Sequence, residues 1–221
     1  MEIILHTADI SKDTKSLEKV LNTEATSVEF DFVMTTDGVP VWTHKLFPTQ
    51  LCDYDSCKLT LYEVLEMNNH KHKLMLDFKY IPKHILKSNE FNKLLEYLNK
   101  YDEIQIQSLD LSFIKKLKES NYSNFEIGLI INVLSKKLIN NKLPNLDFIA
   151  ISSELWERRN GLYLDKCNTL YPEIKKYAWT WSTREETEER INNFIDKNAD
   201  GIITDNPVLV KRLIDKRNIA C

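Results

Sequence analysis

Short apolar runs alternate with longer amphipathic, Lys- and Glu-rich segments along this chain. Ile3–His6 leads to Thr14–Asn22, where Leu17, Val20 and Leu21 recur at helical spacing. Val28–Asp31 leads, after a hairpin and a loop, to Thr60–Met67. Leu74–Lys79 precedes His84–Tyr101, with Pro82 placed as a first-turn proline would be. Glu103–Gln107 leads to Leu111–Ser120, and Glu126–Ile131 to a weaker helical pattern near Val133–Ile139. Asp147–Ile151, Tyr177–Trp181 and Gly201–Thr204 precede helical segments at Asp165–Lys175, Glu185–Asn198 and Val208–Arg217. Strands alternating with helices predict a parallel sheet with βα crossovers. Eight such repeats predict an α/β fold, a closed (β/α)8 TIM barrel with a small β-hairpin after strand 2. No Gly-rich phosphate turn follows the first strand, which argues against an open doubly wound sheet. No Ser-, Pro- or Gly-rich linker divides the chain, so residues 1–221 read as a single barrel domain.

The stretch Ser27–Lys45, SVEFDFVMTTDGVPVWTHK, carries the densest chemistry. Glu29 and Asp31 sit two apart on a strand and share a face. Asp37-Gly38 is a two-residue hairpin signal. With that loop, Thr36 pairs with Val39, and counting back sets Asp31 opposite His44 with Glu29 on the adjacent diagonal. A one-residue bulge would shift the partner without dispersing the group.

Composition narrows the field. Hydrophobic residues are 43% and net charge is −3, with no basic tail, which argues against nucleic acid as a partner. No apolar run reaches the ~18–20 residues of a membrane span. MEIILHTADISKD has neither the basic start nor the apolar length of a signal peptide, so a cytoplasmic protein is expected. Cys52, Cys57, Cys167 and Cys221 fit no zinc spacing and read as free thiols, although Cys52 and Cys57 could close a short loop.

Barrel sites lie at the C-terminal ends of the strands, and polar residues stand at those ends here. Glu29, Asp31 and Asp77 would form a three-carboxylate cluster. Like charges that close require a shared proton or a cation, and hard oxygen ligands favour Mg²⁺ or Ca²⁺ over zinc. The blander reading of Glu29 and Asp31 is surface pairing with lysines. His6 and His44 each close an apolar run and suit proton transfer near neutral pH. His70, His72 and His84 lie in Lys- and Asn-rich segments and read as structural or exposed. Lys79 could hold a phosphate or oxyanion, pair with Asp77 or Glu29, or both. One of Trp179 and Trp181 should face the barrel interior or its mouth, where it could form an apolar wall for substrate, and core packing is the better reading of whichever points outward to the helices.

Taken together, these blocks resemble the glycerophosphodiester phosphodiesterase family of phospholipase-C-like barrels. SVEFDFVMTTDGVPVWTHK is similar to that family's "E-x-D … T-x-DG-x-PV-x-x-H" block. IQIQSLD resembles its "QSF" strand, YAWTWST its "WTVN" strand and ADGIITDNP its closing "GVDGIITDxP", in the same order over nearly the whole chain. The resemblance implies Glu29, Asp31 and Asp77 as metal ligands, His6 and His44 as the acid/base pair, and Lys79 as a phosphate-binding cation. It also implies a small-molecule phosphodiester or lysophospholipid substrate and a role in lipid metabolism. Three departures stand out. His6-Thr7-Ala8 replaces the family's His-Arg-Gly, whose arginine grips phosphate. Lys45, rather than Asp, follows His44, where it could take part in substrate binding. Asp77-Phe78-Lys79 is closer to the Asp-x-Lys of sphingomyelinase D toxins, which leaves a transphosphatidylase or a non-catalytic phosphate-binding barrel as alternatives.

Overall fold

The computed structural model describes residues 1–7, 10–44, 50, 58–120, 122, 124–133, 145–157, 162–180 and 186–220. Their order is β1 (Glu2–His6), α1 (Thr14–Val20), β2 (Ser27–Met34), β3 (Pro40–Trp42), α2 (Leu61–Asn68), β4 (Lys73–Tyr80) and a 3-10 turn (Ile85–Lys87). There follow α3 (Asn89–Leu98), β5 (Ile104–Ser108), α4 (Leu111–Lys118), β6 (Phe125–Ile131), β7 (Phe148–Ser152), α5 (Ser153–Glu157) and α6 (Leu162–Leu170). The chain ends with β8 (Lys175–Trp179), α7 (Glu188–Asp196), β9 (Gly201–Thr204) and α8 (Pro207–Ala220).

Hydrogen-bonded neighbours run β1-β9-β8-β7-β6-β5-β4-β2, and β1 also pairs with β2, so eight strands close into a ring. β3 lies outside it, antiparallel to β2. This is the (β/α)8 barrel with a hairpin after the second strand that the alternation predicts. Strands β2, β5, β7 and β9 are buried along their whole length, as expected where both faces of a sheet are covered.

Contacts within the chain group it into two compact units, one of Met1–His6, Glu24–Ser27 and Gly128–Cys221, the other of Thr7–Thr23 and Val28–Ile127. The first carries the parallel ladder from β7 through β8 and β9 to β1. Gly128 is opposite Phe148 on β7, and a Cβ at Gly128 would fall 2.1 Å from the Phe148 ring. Glycine there lets that ring lie flat and meet Tyr177 at 5.2 Å. On the helix layer, Trp156 of α5 meets Phe194 of α7 edge-on at 5.6 Å.

In the second unit an aromatic seam orders β2 and β4. Phe30 meets Trp42 edge-on at 5.0 Å, Phe32 tilts against Phe78 at 6.0 Å, and Phe78 meets Phe113 of α4 at 5.3 Å. Strand alternation then sends Glu29, Asp31, Asp77 and Lys79 to the opposite face, into the ring. Thr60 and Glu63 form a reciprocal cap that starts α2.

Three local expectations are corrected. The hairpin loop has three residues, not two. The Gly38 N–H donates to the Thr35 carbonyl at 3.1 Å and the Thr35 N–H to that of Val39 at 2.9 Å. Gly38, at φ 88, takes the left-handed position that ends such a loop. The extra residue slips the register to Phe32↔Trp42, so the Asp31 carbonyl accepts from Thr43 N–H at 3.0 Å, and His44 is not its direct opposite. Pro82 does not open α3. Its carbonyl accepts from Ile85 and Leu86 in the 3-10 turn, and the helix begins after Ser88. The helix expected at Asp165–Lys175 runs instead over Leu162–Leu170, and Lys175 belongs to β8. Most of the weaker helical pattern near Val133–Ile139 lies outside the described residues.

Candidate active site

In the second unit, Glu29, Asp31 and Asp77 are buried, at 1%, 0% and 2% exposure. Three acids rarely lie that deep without a cation. Lys79 supplies one positive charge. Its Nζ lies 2.7 Å from Asp31 Oδ1 and also contacts the Asp77 carboxylate. Burial by itself pulls the Lys79 ammonium down. The charges of Asp77, Asp31 and Glu29 outweigh that and hold it well above the ordinary lysine range. His44 Nε2 stands 3.7 Å from Asp31 Oδ2, with more than half of its side chain exposed. The hairpin thus delivers the histidine to the acids despite the shifted register, because the chain leaves β3 at Trp42 before His44. In the same unit, Trp42 Nε1 donates to Thr7 Oγ1 at 3.3 Å. The buried Lys12 ammonium donates to the Thr7 carbonyl and lies 4.9 Å from the Trp42 ring centre.

In the first unit, His6 ends β1, and its Nδ1 lies 2.8 Å from Asp205 Oδ1. Asp205 follows β9 and is itself fixed. Its backbone N–H donates to Glu186 Oε1 at 2.8 Å. The same carboxylate accepts from Thr204 Oγ1 at 2.7 Å and Thr180 Oγ1 at 3.1 Å. Burial raises the Glu186 carboxyl above its usual range, against the lowering effect of these donors. Glu186 is a structural anchor that sequence reasoning missed. It lies in the charge run TREETEER, which looks like a solvated helix start, and only the folded chain shows it turned inward. Trp179 ends β8 half-buried. Lys45, Trp181, Cys52 and Cys57 lie outside the described residues. Cys167 is a free, buried thiol, raised by burial to about 11.

As a donor set, Glu29, Asp31 and Asp77 are all-oxygen and charged, which fits a hard divalent cation. The Gln107 side chain on β5 adds a neutral oxygen, buried and without a hydrogen-bond partner among the described residues.

The fold is a (β/α)8 barrel. Glycerophosphodiester phosphodiesterases of known structure match it end to end. One from Parabacteroides distasonis is 15% identical with a TM-score of 0.72, covering 98% of each chain. One from Agrobacterium tumefaciens is 13% identical with a TM-score of 0.70, covering 97% of this chain and 99% of its own. An Oleispira antarctica phosphodiesterase, solved in complex with the product sn-glycerol-3-phosphate, is 15% identical with a TM-score of 0.73 over 97% of each chain. No family sequence model and no curated sequence relative matches the chain. No helix among the described residues is long and apolar enough to cross a membrane.

Proposed function

We propose that this chain is a metal-dependent phosphodiesterase that hydrolyses a glycerophosphodiester, or a lysophospholipid, to an alcohol and a glycerol phosphate. The carrying observation is Lys79 held between Asp31 and Asp77, with Glu29 on the same strand face and His44 3.7 Å from Asp31. Three carboxylates against one ammonium leave a surplus of negative charge unless a proton or a cation is taken up. A phosphodiester carries one more, so it would be repelled from such a mouth. A divalent cation on Glu29, Asp31 and Asp77 removes that repulsion. Bound there, Mg²⁺ or Ca²⁺ supplies charge neutralisation at the phosphate and a lower pKa for an attacking hydroxyl.

The chain's own groups do the rest. Lys79 is the fixed cation for a phosphate oxygen. His6, with Nδ1 engaged by Asp205, presents Nε2 for proton exchange, and His44 handles the second proton. One imidazole takes the proton of an attacking water, whose oxygen bonds to phosphorus, and the other protonates the leaving alcohol oxygen as its P–O bond breaks. Trp179 offers an apolar wall beside the substrate, and Lys45 and Trp181 complete the proposed binding set. On this reading residues 1–221 form one phosphodiesterase domain working in cytoplasmic lipid metabolism.

The test is release of choline from glycerophosphocholine and lysophosphatidylcholine in Mg²⁺ or Ca²⁺, for wild type and His44→Ala. Turnover that drops ~10²–10⁴-fold in the variant supports the reading. No turnover on either substrate, with the variant indistinguishable from wild type, overturns it. Phosphorus NMR of the products separates hydrolysis from a cyclic phosphate, the sphingomyelinase-D-like outcome.

A further inference from the structure

We propose that Gln107 belongs to the cation site, its carboxamide oxygen completing the oxygen set offered by Glu29, Asp31 and Asp77. This rests on the metal-dependent reading above. Gln107 is 2% exposed, and its Oε1 is buried without a hydrogen-bond partner among the described residues. Folded proteins satisfy the great majority of such atoms, so each exception calls for a ligand or a role.

The register says where this oxygen points. β4 and β5 pair in parallel with Asp77 opposite Gln107, so the two side chains share a face, on strands ~4.8 Å apart. That face is the inner one, because Phe78, between Asp77 and Lys79, turns outward onto Phe113. Gln107 is one methylene longer than Asp77 and reaches further from the strand.

Gln105 lies two residues earlier on the same face of β5, opposite Met75, and its amide donates to Glu126 Oε2 at 2.5 Å, which also pairs with Lys73 at 3.2 Å. Only Gln107 stands opposite one of the three acids, and so within reach of the site. A carboxamide oxygen is an accepted ligand for Ca²⁺ and Mg²⁺. Being neutral, it adds a contact without adding charge to an already acidic cluster.

The test is calorimetric titration of wild type, Gln107→Leu and Gln107→Glu with MgCl₂ and CaCl₂, alongside melting temperatures in EDTA. Gln107→Leu removes a buried unsatisfied atom, so it should melt in EDTA at or above the wild-type temperature while binding the cation about 10- to 100-fold more weakly. Gln107→Glu should bind more tightly and melt lower in EDTA, where its added charge has no counterion. Should Gln107→Leu melt lower, Gln107→Asn, which keeps the amide but draws it back by a methylene, must still lose affinity. Wild type binding normally with Gln107→Leu and Gln107→Asn unchanged overturns the assignment alone. Wild type binding neither cation overturns the metal-dependent reading beneath it, and the assignment with it.

Discussion

Lys79→Met should destabilise the protein severely in EDTA, and a divalent cation should recover much of the loss. The change keeps the side chain's length and apolar stem and deletes only the ammonium. At 2.7 Å from Asp31 Oδ1, the gross attraction is about 6 kcal/mol at an effective dielectric of ~20. Desolvation offsets much of this, so the pair itself contributes little net stability. The cost of the substitution lies in what remains, which is buried Asp31 and Asp77 with Glu29 near them and no cation between. Removing one partner of a buried ion pair costs about 3–5 kcal/mol, and proton uptake by one carboxylate keeps the loss near the lower end. With a urea slope of about 2 kcal/mol/M, the unfolding midpoint in EDTA should fall by ~1.5–2.5 M. A cation at a hundred times its Kd returns about 2.7 kcal/mol. The shift on adding Mg²⁺ or Ca²⁺ should be larger in Lys79→Met than in wild type, because the variant binds the ion without a competing ammonium. Urea melts with and without metal measure both quantities. A midpoint in EDTA equal to wild type, or equal metal shifts in the two proteins, would refute the reasoning.

Other consequences are sharper in sign than in size. Asp205→Asn keeps the shape beside His6 but removes a charge-assisted hydrogen bond worth about 1.5–3 kcal/mol, so kcat should fall ~10- to 100-fold with KM nearly unchanged. An unchanged kcat would remove Asp205 from the positioning of His6. Because Glu186 is raised above 4.5, the folded state keeps a proton that the unfolded chain has released. Its stabilising contribution is complete below that pH and is lost as pH rises through the raised folded value. Urea midpoints should therefore show wild type losing ground to Glu186→Gln as pH rises above about 4.5, and a difference moving the other way sinks this account. Gly128→Ala places a Cβ 2.1 Å from the Phe148 ring. Overpacking of ~1–3 kcal/mol should lower Tm by roughly 2–12 °C, and calorimetry of Gly128→Ala with Phe148→Leu should recover part of it.

The barrel was legible because its signals are repeated and local. Each buried strand is a short apolar run, each helix carries an apolar stripe, and Gly, Asp and Thr mark the turns. The acids on β2 and β4 were legible for the same reason, since period-2 spacing alone puts Glu29 with Asp31 and Asp77 with Lys79 on common faces. What the sequence hid depends on single residues. One extra loop residue at Gly38 moved the hairpin register, because the choice between a two- and a three-residue loop turns on one backbone dihedral. Glu186 was hidden because a charge run before an amphipathic helix normally faces water. Its three donors, Thr180, Thr204 and the Asp205 amide, come together only after β8 and β9 pair. The tie from Gln105 to Glu126 was equally hidden, since Glu126 lies on a different strand and meets the Gln105 amide only in the folded sheet.

The same logic bears on the residue after His6. In the resembling family an arginine there grips phosphate, and the simplest expectation is that restoring it would strengthen substrate binding. The surroundings of Thr7 argue the opposite. Thr7 is fully buried, its hydroxyl accepts the Trp42 indole N–H at 3.3 Å, and its carbonyl accepts the Lys12 ammonium. Lys12, 5% exposed, is a buried cation over the Trp42 ring. Arginine at position 7 would bring bulk to a filled site and a second positive charge beside the first, with overpacking alone costing ~1–3 kcal/mol. Thr7→Arg should therefore melt about 5–15 °C below wild type once the like-charge term is added, with no fall in KM for glycerophosphocholine. Thr7→Val, close in shape, should lose only the hydroxyl acceptor, about 1 kcal/mol. A Thr7→Arg protein as stable as wild type, with a lower KM, would show that the pocket was left open for an arginine. Lys12 and Trp42 already fill the surroundings of Thr7, so on the proposed function the phosphate charge would fall to Lys79 and a bound cation.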